Sequence, residues 1–485
     1  MKTIKPSYFN FIVPVNSEEY LFYNSKTTGL FQLSGKEGRF VEGLCGLKKF
    51  DLEEIDFYRD MITDFYDKGY FIDFEVDERE QLHKIYSLNK DVYSKDAADI
   101  NLTIGTTIMC NMGCSYCFEF VKPNKTMKDQ KVLDDILFYL RDMVSKSPVR
   151  KWRKFNVVWY GGEPLINRAA IEKLSPRLIE FCNEFGMVYQ AEIITNGLLL
   201  DPDTWMLLLK SNVQNVQVTI DGPKEIHEIS RPLLGGHKLG NYDRIMENLS
   251  CMPEEMSLTI RVNLDKRIYD KFETLLLDLK RYGIWPQRYK NVHLDIAWLR
   301  TYDEELYKTN VSARFGVKEF YYASQSLKKM RLKVFNDWAS ENGLKKSKLK
   351  WEMPKLQAEC ATWVSPYSLV VDPEGNIHKC WETIHDTKDK VAHVSSGFSA
   401  KDFEKHSNYD RYRTAHKKCL DCKFIPICDQ LSCSHQVVGE KEPPCTHWKD
   451  VLVTSLKEQY LFMKEHPDEL VIVNESHEND GHANK

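Results

Sequence analysis

No apolar run in this 485-residue sequence approaches the roughly 18 residues that a membrane-crossing helix needs. The opening residues, Met1-Lys-Thr-Ile-Lys-Pro-Ser7, lack the apolar core of a secretory signal. Charge of one sign is scarce too. The net charge is −4, so no broad basic field exists to attract nucleic acid or an anionic membrane. No segment repeats another. With 42% hydrophobic and 28% charged residues the composition is that of an ordinary globular protein, and the length suits about three domains. A cytoplasmic protein is expected, with neither nucleic acid nor membrane as partner.

Cysteine, by contrast, is plentiful and unevenly placed. Thirteen cysteines in a chain of this kind do not suggest a disulfide scaffold, because cytosolic thiols stay reduced. Cys45, Cys182 and Cys251 are isolated and read as small hydrophobes. Three others stand in Cys110-Asn-Met-Gly-Cys114-Ser-Tyr-Cys117-Phe-Glu, just after a strand-like run, and seven lie between Cys360 and Cys445. Three thiolates that close can hold three irons of a [4Fe–4S] cube and leave the fourth open to a small molecule. A structural zinc knot is the alternative, but zinc normally takes four protein ligands. With Tyr116 before its last cysteine, this loop resembles the CxxxCxxC signature of the radical S-adenosylmethionine (SAM) superfamily.

Hydrophobic patterning organises the rest. Residues 1–95 read as a small α+β unit, similar to a winged helix: short strands precede a helical stretch at Leu52–Lys68 and a short strand, Gly69–Ile72. Residues 100–300 alternate strands with helices. The expected strands are 102–108, 155–160, 190–195, 214–220, 257–263 and 292–298. Such alternation means βαβ units and a parallel sheet, and six of them match the partial (β/α)6 TIM-like barrel of the resembled superfamily. The motifs fall at strand C-terminal ends, where barrels place their sites. Bridging helices are expected over 301–350, a cysteine-rich iron–sulfur domain over 351–450, and a helix with a disordered tail over 451–485.

Several of these strand ends carry ligand-like chemistry. Tyr160-Gly161-Gly162-Glu163-Pro164 is at least a tight strand-to-helix turn, whose glycines would let the backbone pass close to a ligand. It also resembles the superfamily's Gly-Gly-Glu element, which implies that Glu163 binds the SAM amino group. Thr195-Asn196-Gly197 offers short polar side chains for ribose or carboxylate oxygens. Asp221-Gly222-Pro223, with His227 and Arg231-Pro232, resembles the segment after the fourth barrel strand, and implies that Arg231 pairs with the SAM carboxylate. By the same likeness Tyr116 lies against the adenine; Arg261 and Asn263, on strand 257–263, are expected to line the same cavity. The chemistry implied is reductive cleavage of SAM to a 5′-deoxyadenosyl radical that abstracts hydrogen from an unactivated C–H bond.

The second cysteine field comprises Cys360, Cys380, the string Cys419-Leu-Asp-Cys422-Lys-Phe-Ile-Pro-Ile-Cys428-Asp-Gln-Leu-Ser-Cys433, and Cys445. A single CxxC usually means zinc. Seven cysteines downstream of a radical loop instead resemble the SPASM domain with its two auxiliary [4Fe–4S] clusters, three clusters in all. The likeness implies one cluster on Cys419, Cys422, Cys428 and Cys445, and another on Cys360, Cys380 and Cys433. The latter has an open iron or a non-cysteine ligand, with His378 and His435 as candidates. A turn at Asp372-Pro-Glu-Gly375 is expected to fold Cys380 back. SPASM enzymes mostly modify peptides, and residues 1–95 resemble the leader-binding domain of maturases of ribosomally made peptides. The implied activity is a thioether or carbon–carbon crosslink in a precursor peptide with a leader, fed by flavodoxin or ferredoxin. An anaerobic sulfatase-maturing enzyme is the alternative, and an iron–sulfur electron-transfer or scaffold protein is disfavoured.

Overall fold

The computed structural model describes residues 2–82, 84, 96–117, 119, 123–235, 240–299, 313–357, 360, 362, 365–399, 401, 417–431, 445–467 and 470–473. They form two compact units. One gathers three separate stretches, 1–89, 347–360 and 408–485; the other holds 90–346 and 361–407.

In the first unit, β1 (Thr3–Pro6) lies between β5 (Phe50–Asp51) and β6 (Phe71–Asp73). An antiparallel sheet joins β2 (Asn10–Pro14), β3 (Glu19–Asn24) and β4 (Leu30–Ser34). Helices α1 (Gly35–Cys45) and α2 (Arg59–Asp67) follow these strands, α1 opening on a Ser34/Glu37 capping box that satisfies two otherwise orphaned amide groups. Strand β3 is apolar without alternation, and Tyr20 to Asn24 are all buried. Both faces therefore need cover. Phe22 and Tyr20 pack with Val41, Ile62, Phe65 and Tyr70 on one face. Leu21 and Tyr23 pack on the other with Trp351, Ile427, Leu452, Leu456 and Tyr460, which come from the far end of the chain. The described residues among 1–82 thus share their core with later segments rather than standing alone.

The second unit is mixed α/β. Six parallel strands, β7 (Ala97–Thr107), β8 (Lys151–Gly161), β9 (Val188–Thr195), β10 (Val213–Thr219), β11 (Ser257–Leu264) and β12 (Val292–Trp298), run in sequential order across one sheet. Between them lie α3 (Gln130–Lys146), α4 (Arg168–Phe185), α5 (Pro202–Lys210), α6 (Lys224–Ser230), α7 (Asn241–Ser250), α8 (Lys266–Asp270) and α9 (Phe272–Arg281); α10 (Val317–Glu341) follows β12. This is consistent with a TIM-like partial barrel. On β11 the alternate residues Leu258, Ile260, Val262 and Leu264 are fully buried in the core shared with the helices, while Thr259, Arg261 and Asn263 are only half-buried on the opposite face. One face thus makes the core, leaving the other for polar chemistry. Helix starts carry their expected caps: Asp129 before α3 and Asp201, with Pro202, before α5.

On the other edge of β7, a strand at Ser368–Val371 pairs in parallel and its hairpin partner, Asn376–His378, extends the sheet. The expected turn is present: Gly375 donates to the Asp372 carbonyl at φ +87°, and the Asp372 side chain accepts from the amides of Glu374 and Asn376. This hairpin belongs with the sheet because all four residues of its first strand are buried. Among the described residues no helix is long and apolar enough to cross a membrane. The first part of the expected 301–350 helices, through residue 312, lies outside the described residues, and so does the tail after residue 473 with the expectation of disorder made for it.

Candidate active site

The cysteine loop leaves the C-terminal end of β7. Its first turn is fixed by backbone bonds, Ile108 N–H to Lys125 O and Cys117 N–H to Cys114 O. Cys110, Cys114 and Cys117 are all half-buried along this loop. The Met112 amide points at Cys110 Sγ (3.4 Å), and Asn196 Nδ2 stands 4.0 Å from the same sulfur. The next strand end holds the loop in place. Gly162 N–H donates to Thr107 O and Glu163 N–H to Met109 O. A Cβ on Gly161 would lie 2.1 Å from Thr107 O, and one on Gly162 would lie 2.4 Å from the carbonyls of both Ile108 and Met109. Gly161 also sits at φ +128°. These glycines were expected to admit a ligand. Their closest approach is to the backbone of the cysteine loop, which only a residue without Cβ permits.

Glu163 is fully buried. Its Oε1 accepts from Thr195 Oγ1 (2.7 Å) and Leu165 N–H (3.1 Å), and its Oε2 accepts from Asn196 N–H (2.7 Å). Burial pushes this carboxyl above the usual range, opposed by those three donors. Three of the roughly four lone-pair sites of the carboxylate therefore meet protein donors. Glu163, expected to bind the SAM amino group, ties the ends of β8 and β9 together. Asn196 continues the chain of contacts by donating to Asn111 Oδ1 (2.6 Å) on the cysteine loop. Thr195 and Asn196, expected to reach ribose or carboxylate oxygens, are each about 4% exposed and engaged in this network.

A second network lies across the loop. Segment 230–234 runs antiparallel to it, with Gly113 N–H to Pro232 O, Ser115 N–H to Ser230 O and Leu234 N–H to Asn111 O. Arg231 is carried on this segment and is 8% exposed. Its Nη1 donates to the Tyr116 hydroxyl (2.5 Å) and lies 3.8 Å from Asp221 Oδ2. Tyr116 in turn donates to Asp221 Oδ2, and its oxygen accepts from Asn263 Nδ2 (3.2 Å). Burial drives the Tyr116 hydroxyl well above its ordinary range. His227 donates nothing to Asp221; its Nδ1 accepts the Asp221 amide (3.2 Å), and burial keeps the ring neutral. Arg261 bonds to Asn263 and pairs with Asp295 Oδ2 at 2.9 Å. Tyr116, Arg231, Asn263 and Arg261 are thus brought together, and the guanidinium of Arg231 faces protein oxygens. Asp221 was read only as part of the segment after the fourth barrel strand. The clue in the sequence is an acidic residue just past the end of a barrel strand, where the other motifs also fall.

The later cysteines divide between the units. Cys380 lies after the hairpin in the sheet unit; Cys360, Cys419, Cys422, Cys428 and Cys445 lie in the other. The Cys419–Cys422 turn closes with Cys422 N–H to Cys419 O, and it is held against the first strands: Tyr8 donates to Asp421 O, and Phe11 packs on Phe424 with ring centroids 5.0 Å apart. Cys433 and His435 lie outside the described residues. His378 is fully buried with its Nε2 3.5 Å from Asp372, so it serves the hairpin rather than a surface. Among the described residues no three His, Cys, Asp or Glu side chains converge closely enough to grip a metal. The donor chemistry nevertheless fits an iron–sulfur cube: three thiols within one short loop, beside an amide donor aimed at sulfur. Such ligands are drawn together by the metal that they bind.

Residues 104–279 match the Radical SAM superfamily. The chain is 26% identical over 259 residues to the radical SAM cyclopropyl synthase TigE of Paramaledivibacter caminithermalis, covering 49% of this chain and 52% of that protein. It is 22% identical over 339 residues to a cysteine-type anaerobic sulfatase-maturating enzyme of Clostridium perfringens, covering 66% of this chain and 84% of that one. The match thus spans about half the length of the synthase. In fold it resembles the solved structure of histidine-tagged anSMEcpe with bound AdoMet, with a TM-score of 0.55 and 16% identity over 77% of this chain and 100% of the other. The likeness to the Radical SAM superfamily thus runs from the end of β7 into α9, the stretch that carries the cysteine loop, the Gly-Gly-Glu turn and the Tyr116–Arg231 network.

Proposed function

We propose that this protein cleaves SAM reductively and uses the product to abstract hydrogen from a ribosomally made precursor peptide, installing a thioether or carbon–carbon crosslink. The observation that carries the reading is the meeting, at the ends of β7 to β11, of a three-cysteine loop with the Gly-Gly-Glu turn and the Tyr116–Arg231 network. Cys110, Cys114 and Cys117 would hold the catalytic [4Fe–4S] cluster, whose open iron with bound SAM supplies the 5′-deoxyadenosyl radical. The chain's own residues do the positioning. Gly161 and Gly162 seat the loop, Glu163 and Thr195-Asn196 present the strand ends to the amino-acid portion, and Tyr116 offers a ring face to the adenine.

Cys419, Cys422, Cys428 and Cys445 would carry one auxiliary cluster, and Cys360, Cys380 and Cys433 the other. Flavodoxin or ferredoxin would deliver electrons. A second reading, sulfatase maturation, is favoured by the match to 84% of the length of the clostridial maturating enzyme. The reading is tested by anaerobic reconstitution with iron and sulfide, then incubation with dithionite and SAM. Wild-type protein forms 5′-deoxyadenosine, and C110A/C114A/C117A forms none while retaining its other clusters. Formation of 5′-deoxyadenosine by the triple variant would overturn the assignment. Mass spectrometry then separates the two readings: loss of two hydrogens from a precursor peptide supports the first, and formylglycine in a sulfatase peptide supports the second.

A further inference from the structure

We infer that Asp221 is the positioning residue of the SAM site, fixing Tyr116 and Arg231 in place through a single buried carboxylate. The inference rests on the proposed radical SAM activity. Three elements meet at this one side chain, and a fourth meets its backbone amide. Its Oδ2 receives the Tyr116 hydroxyl from the cysteine loop and faces Arg231 Nη1 at 3.8 Å, from the segment that pairs with that loop. Its Oδ1 accepts the backbone N–H of Asn263 on β11 (3.1 Å), and its own amide, just past β10, donates to His227 on α6. Asp221 has no exposed surface, so it touches no small molecule itself and acts only through its partners.

A tyrosine ring beside a half-buried loop can swing about χ1 and χ2 unless its far end is fixed. Here three groups fix the hydroxyl: Asp221 accepts from it, while Arg231 and Asn263 donate to it. That leaves the ring with one orientation and spends the guanidinium on organising the site, so a ligand meets a prepared surface rather than one it must order. Arg231 also supplies the positive charge that a buried carboxylate requires.

The test uses full-length reconstituted protein and SAM as the probe, read by equilibrium dialysis and by the SAM-induced change in the electron paramagnetic resonance spectrum of the reduced cluster. Asp221→Asn is expected to weaken SAM binding about tenfold, as loss of a hydrogen bond to a charged partner does, with iron content unchanged. Tyr116→Phe weakens it several-fold. The double variant D221N/Y116F is no weaker than D221N, because both substitutions break one linkage. D221N leaves Arg231 buried and uncompensated, so D221N/R231Q restores charge balance should D221N fail to fold, and it too binds SAM weakly. Wild-type affinity in D221N or in D221N/R231Q would overturn the inference, as would multiplicative losses in D221N/Y116F. Failure of the wild-type protein to bind SAM would instead overturn the proposed activity.

Discussion

Gly162 shows how one residue's lack of a side chain shapes the site. Alanine there would place a carbon 2.4 Å from two carbonyl oxygens of the cysteine loop, and neither is a flexible group that could yield. We expect G162A to destabilise the sheet unit by about 1–3 kcal/mol, as overpacking does, and to lower iron bound at Cys110, Cys114 and Cys117 in colorimetric iron assays. An unchanged melting temperature with full iron would refute the close-approach account. Glu163→Gln keeps the volume but replaces one accepting oxygen by a donor, so one of the bonds from Thr195 or Asn196 turns unfavourable. Roughly 1–3 kcal/mol of stability is expected to go with it, read as a lowered denaturant midpoint even without SAM. The sequence marked these residues through their types and positions at strand ends. It could not show that Gly162 faces Ile108 and Met109, because that contact joins positions more than fifty residues apart.

Among the elements, the six barrel strands were legible because short β-branched and apolar segments alternate regularly with helical segments; the observed bounds of β8 to β12 lie within a few residues of those expected. The N-terminal segment was less legible. The run Tyr20-Leu-Phe-Tyr23 was taken as a strand of a small free-standing unit, yet it is apolar on both faces and needs a partner sheet or helix on each. One such partner, the helix Trp448–Glu465, lies more than four hundred residues later, and Tyr460 and Lys464 reach Glu19 from it at 2.9 and 2.6 Å. Deleting residues 1–95 should therefore do more than remove a peptide-binding module. It bares Trp351, Leu452 and Leu456, so aggregation and loss of iron from Cys419, Cys422 and Cys428 are expected, measured by size exclusion and iron content. A monodisperse truncation with full iron would show that the segment is dispensable to that core.

For the molecule as a whole, the ten cysteines outside Cys45, Cys182 and Cys251 imply about twelve irons per chain, four to each cube. Stoichiometric zinc, or about four irons, in the anaerobically reconstituted protein would refute the auxiliary clusters. The expectation of three clusters draws on spacing, which limits ligand choice; the allocation of Cys360 and Cys380 to different units was not legible, since it depends on which segments share a core. That arrangement also bears on synthesis. The first unit is built from the beginning, a middle stretch and the end of the chain, with the sheet unit inserted between. A ribosome adding about 5–20 residues per second delivers Trp448 some 20–80 s after β3 has emerged. Until Trp351 and then Ile427 and Leu452 follow, Leu21 and Tyr23 lack the later-made part of their cover. The apolar face of β3 is open to other contacts for that time, and depletion of a ribosome-associated chaperone should lower the yield of this protein.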